Sequence, residues 1–177
     1  MKALVNKILP ISVNNYDAHR LMNGKYEELY NEKKSITKSY NPRDDFGGDY
    51  DIDDLRQENL DILEKKIKQE IFRDIDVDPD DKTPWMSSHV DGMTARSHVI
   101  IMAVSTYADN NLFKMVRRHY AELQHYLYHT QRDKMCLSVM FEDVRFESTI
   151  IHSNYPYQKE LLKIERWFCE YFNEHNL

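Results

Sequence analysis

Glycine is scarce in this chain: there are four in 177 residues, Gly24, Gly47, Gly48 and Gly92. No two of them are placed to cradle a phosphate. Glycine lets a backbone turn tightly and approach a ligand closely. A P-loop, a dinucleotide fingerprint and a nucleophile elbow all depend on it, so these motif-borne chemistries are excluded. Cysteine is scarcer still. Cys136 and Cys169 cannot make a disulfide framework, and neither belongs to a Cys-x-x-Cys pair. Basic charge is also short, with 24 Lys and Arg against 30 Asp and Glu and a formal net charge of -6. A duplex binder normally presents a basic face, so this balance argues against direct nucleic-acid binding. Long apolar runs are missing too. The run from Ile8 to Val13 is broken by Pro10 and Ser12, too short for a membrane span or an ordinary signal peptide. The expectation is a cytoplasmic protein without a membrane partner.

Length and periodicity define the expected architecture. A chain of 177 residues suits one domain with a real core. Helical spacing runs from about Asn15 to Lys34, then from Asp54 to Arg73 with apolar Leu60, Leu63, Ile67 and Ile71. A third helix is expected over Asn111 to Gln131. A fourth opens at Asn154, with Pro156 in its first turn. β-branching favours a strand at Ser97 to Thr106. Alternation marks Met135 to Phe141, and Val144 to Ile151 completes a hairpin. The expected fold class is therefore α+β: about four helices on a small antiparallel sheet, residues 1–177 forming one compact domain. Acidic loops are expected near 41–53 and 74–94.

Several constellations are candidates for chemistry. Asp49, Asp51 and Asp53 alternate before the second helix, and Asp74, Asp76, Asp78 and Asp80 follow it. Alternating carboxylates begin calcium loops. Here the required glycine is replaced by Asp54 or Pro79 and the closing glutamate by Leu60 or Trp85, so solvated acidic loops are the preferred reading. Glu122, His125 and His129 share a helix side, and i,i+4 imidazoles can reach one metal. A lone spacing match is not a site, and an exposed polar face with Arg118 and Glu122 paired is preferred. His119 reads as a core histidine. His89, Asp91 and His98 lie around Gly92 in what reads as a loop, where catalytic groups often sit.

Tyrosine is abundant, with 12 residues against 7 Phe and 2 Trp. Tyr120, Tyr126, Tyr128, Tyr155 and Tyr157, with Trp85, are the candidate protein-binding residues, because interfaces enrich such side chains. The leading expectation is a non-catalytic interaction or assembly subunit, homo-oligomeric, of viral or phage character, with protein partners and no cofactor. The alternative is a metal-dependent hydrolase or nuclease using Glu122, His125 and His129, or Asp49, Asp51, Asp74 and Asp76. A further alternative is an acidic inhibitor mimicking nucleic acid.

Overall fold

Residues 13–35, 52–106, 111–141 and 145–175 are described in the computed structural model. Helix α1 (Asn15–Met22) begins with a capping box. The Asn14 side chain accepts from the Asp17 N–H and the Asp17 carboxylate accepts from the Asn14 N–H. Gly24, at φ +73, ends the turn and separates α1 from α2 (Tyr26–Ser35). The single helix expected from Asn15 to Lys34 is thus two.

Helix α3 (Ile52–Ile67) stops where Lys68 takes a φ of +54. Ile71 and Arg73, expected to continue it, belong instead to strand β1 (Ile71–Val77). Strand β2 (Ser88–Thr94) pairs antiparallel with β1. The stretch read as an acidic loop from Asp74 to Thr94 is therefore strand at both ends, over 74–77 and 88–94, with 78–87 joining the two strands. Asp74 and Asp76 belong to β1 and both reach His89 of β2, while Asp78 lies just past the strand. The other expected acidic loop, near 41–53, lies outside the described residues apart from 52 and 53, which open α3.

Strand β3 (Ile100–Thr106) pairs antiparallel with β2 and parallel with β4 (Lys134–Phe141). A parallel pair needs a long crossover. Helices α4 (Leu112–Arg118) and α5 (Tyr120–His129) supply it, parting at His119. Strand β5 (Phe146–His152) forms the expected hairpin with β4. Helix α6 (Tyr155–His175) closes the chain, with the Asn154 side chain accepting from the Tyr157 N–H.

The order β1-β2-β3-β4-β5 makes a mixed five-stranded sheet with six helices among the described residues. The α+β class holds. The count of about four helices and the purely antiparallel sheet do not, because two expected helices are broken and β3 runs parallel to β4. Both faces of the sheet are covered. Met135, Leu137 and Val139 pack with Leu123, Tyr126 and Leu127 of α5. On the other face, Ile101 and Cys136 pack with Leu60 and Leu63 of α3. β4 is buried from Met135 to Phe141, as expected for a central strand between two helical layers. A third cluster joins Leu21 and Leu29 to Phe168 and Phe172 of α6.

Candidate functional site

The sheet is distorted at one point. Asp74 has a φ of +52 in the middle of β1, a left-handed conformation that aspartate tolerates better than most residues. The β1–β2 pairing omits Asp74 and the residue opposite, Asp91. Apolar side chains change sides across this point. Ile71 lies in the cluster under α3, whereas Ile75 and Val77 pack with the cluster under α5. Gly92 makes the close approach possible. A Cβ there would stand 2.7 Å from Ile71 Cγ2 and 3.1 Å from the Phe72 carbonyl oxygen.

Charged groups converge on this distortion. Asp91 accepts at Oδ2 from the Ala103 N–H at 2.7 Å, and at Oδ1 from Arg56 Nη1 at 3.0 Å. Arg56 projects from α3, and its Nη2 lies 2.8 Å from Asp74 Oδ1. Its side chain is 11% exposed and that of Asp91 14%, so the pair is nearly sealed. His89 stands at the rim, 34% exposed, with Nδ1 2.7 Å from Asp76 Oδ1 and Nε2 3.4 Å from Asp74 Oδ1. Burial raises the Asp91 pKa, while the Ala103 N–H and Arg56 pull against it. The result is one linked set, Asp91–Arg56–Asp74–His89–Asp76, across β1, β2 and α3.

Sequence reading pointed to His89 and Asp91 but placed them in a loop; they are on a strand. His98, the third of that group, is exposed in the turn between β2 and β3, at φ +49. Arg56 was missed. It lies 35 positions from Asp91, and no local pattern marks such a pairing.

Glu122, His125 and His129 are buried, not exposed as the helical spacing implied. They do not converge. His119 Nδ1 lies 2.6 Å from Glu122 Oε2, and Asn15 Nδ2 donates to Glu122 Oε1. His125 Nδ1 lies 2.8 Å from Glu165 Oε1, and its Nε2 lies 3.1 Å from the Ser87 carbonyl oxygen. His129 Nδ1 meets Ser88 Oγ at 2.8 Å. His125 ties α5 to α6 and to the chain entering β2, and His129 ties it to the first residue of β2. Among the described residues no three His, Cys, Asp or Glu side chains are grouped to hold a metal ion. Asp49 and Asp51 lie outside the described residues. Burial pushes the Cys136 thiol up to about 11 and the Cys169 thiol up to about 12, so neither is a ready nucleophile.

The aromatic candidates are dispersed. The buried Tyr126 donates to the His89 carbonyl oxygen. Tyr120 meets Tyr157 edge to face. Tyr155 is exposed and its hydroxyl lies 3.1 Å from Asp133. Trp85 sits under the Arg166 guanidinium, and Tyr128 is half-buried on α5.

No family model and no curated protein matches the chain. Solved structures do. An alkaline exonuclease from Laribacter hongkongensis, LHK-Exo, superposes with a TM-score of 0.68 at 11% identity, over 93% of this chain and 89% of that one. The same enzyme in complex with dAMP gives 0.69, also at 11% identity, with the same coverage. A phage related exonuclease from Haemophilus somnus 129PT gives 0.73 at 7% identity, over 93% of this chain and 94% of that one. This chain shares its fold with these exonucleases.

That finding overturns the leading expectation of a non-catalytic assembly or virion component. It also removes the argument that an acidic chain does not meet nucleic acid directly. Net charge sums the whole surface, whereas a strand responds to the cations at the place it touches. The exonuclease likeness supports the hydrolase or nuclease alternative instead.

Proposed function

We propose that this chain is a nuclease-type protein: it engages a nucleic-acid strand, and its reaction class is hydrolysis of the phosphodiester backbone. The observation that carries this reading is the superposition on two different exonucleases over 93% of the chain. The linked set at the β1–β2 distortion is its proposed centre, since it gathers a guanidinium, carboxylates and a half-exposed imidazole in one place.

Many nucleases use divalent ions to generate a nucleophile and to neutralise charge on the phosphate. The described side chains do not fit such an ion. Both Asp91 oxygens are engaged, by Arg56 and by the Ala103 N–H. Beside Asp91 the adjoining strand offers Met102 and Ala103, neither with a side-chain oxygen; Ser105 and Thr106 lie further along it. Among the described residues at the centre, His89 is the group suited to carry a proton, because it reaches the rim and Asp76 orients its ring.

The test is a binding and cleavage assay with fluorescent single- and double-stranded oligonucleotides at low salt. Retention of the strand with shortened products supports the proposal. A strand bound but left intact would overturn the hydrolytic part, and no retention would overturn the whole. His89→Gln is expected to slow shortening about 10²-fold with binding unchanged. An unaltered rate would remove His89 from the centre.

A further inference from the structure

We infer that Arg56 is the cation of the Asp91 centre, compensating Asp91 and Asp74 in place of a divalent ion, so that Asp91 takes up no such ion. The inference rests on the nuclease-type reading only for that contrast. Hard divalent ions require several oxygen ligands with free lone pairs. Each Asp91 oxygen keeps a second lone pair, but one already faces a guanidinium nitrogen at 3.0 Å and the other a backbone N–H at 2.7 Å, so an ion bound there would lie against a fixed positive charge. No second carboxylate comes from β3, whose residues beside Asp91, Met102 and Ala103, carry no side-chain oxygen.

Arg56 spans two acids, Asp91 and Asp74, with its two terminal nitrogens, and so compensates both. Guanidinium keeps its charge at any ordinary pH and matches carboxylates with a rigid fork. Its helix is pinned in place. Asn59, one turn along α3 from Arg56, donates to the carbonyl oxygens of Val104 and Ser138. An incoming ion would have to break both Arg56 pairs, leaving a guanidinium stranded beneath a docked helix.

The first test is a Mn²⁺ titration of the full chain without nucleic acid, reading free ion by electron paramagnetic resonance. Wild type and Asp91→Asn are expected to give the same isotherm. A weakening of about tenfold or more in Asp91→Asn, the scale of losing a charged ligand, would overturn the inference. The second test is a double-mutant cycle read by urea unfolding in EDTA. Arg56→Gln is expected to lower the folding constant at least about tenfold more in wild type than in the Asp91→Asn background. Equal losses in both backgrounds would overturn it, as would a Mn²⁺-induced rise in the wild-type midpoint that Asp91→Asn abolishes. Absence of strand binding would defeat the nuclease-type reading and leave these ion and stability results untouched, so the two failures are distinct.

Discussion

At the scale of single residues, burial decides what each polar group can do. His125 and Glu165 are both wholly buried, and they face each other across α5 and α6. Burial works against a charged His125, but the Glu165 carboxylate and its hydrogen bond outweigh this, so the imidazole pKa lies above 6.5. The pair's contribution to stability is therefore full below pH 6.5 and fades as pH rises through the raised folded value. His129 runs the other way, lowered by burial and by its neighbour His125. Its contribution is lost as pH falls, so only a comparison of proteins isolates His125. His125→Gln is expected to cost about 3 kcal/mol in acid, with the deficit shrinking toward alkaline pH. Urea midpoints across about pH 5.5 to 8.5 check this, and a deficit independent of pH would contradict it. Gly92→Ala is expected to cost about 1–3 kcal/mol, because the added methyl meets Ile71 and the Phe72 carbonyl at the distortion. A midpoint equal to wild type would mean that the two strands separate there without penalty.

At the scale of elements, α3 is held to the sheet by polar bonds as well as by Leu60 and Leu63. Asn59 is fully buried; it donates to Val104 and Ser138 and accepts from the Ser138 hydroxyl. Asn59→Ala is expected to destabilise the protein by about 2–4 kcal/mol, since two carbonyl groups and a hydroxyl lose their partner inside a dry interface. Hydrogen exchange should show α3 loosening first, and protection lost uniformly along the chain would contradict this. The elements also show where the sequence was readable. The β4–β5 hairpin and α6 follow from local alternation and a cap, and both formed as expected. The ends of α3 did not, because apolar Ile67 and Ile71 satisfy helical spacing equally well when a turn at Lys68 hands the second to a strand. Strand β1 was hidden by its own acids. Asp74, Asp76 and Asp78 look like solvated loop residues until alternate Ile75 and Val77 are seen packing inward. Crossover pairing of β3 with β4 is a long-range choice, and no short window carries it.

At the scale of the whole molecule, composition misled and shape corrected it. An acidic total of -6 argued against a nucleic-acid partner. The superposition on exonucleases, at identities of 7% and 11%, rests on backbone arrangement that such divergent sequences no longer spell out. The candidate centre was half legible. Asp91 and His89 stood out beside Gly92, but the arginine that completes the set comes from another element and becomes apparent only once α3 packs on β3 and β4 and brings Arg56 to Asp91. Strand binding is expected to weaken as salt rises, in proportion to the few phosphates met by local cations. The most direct measurement is the length of an end-labelled oligonucleotide after incubation with excess protein, resolved on a denaturing gel. Progressive shortening from an end is the predicted result; a strand that stays full length at every salt and divalent-ion condition would contradict the account.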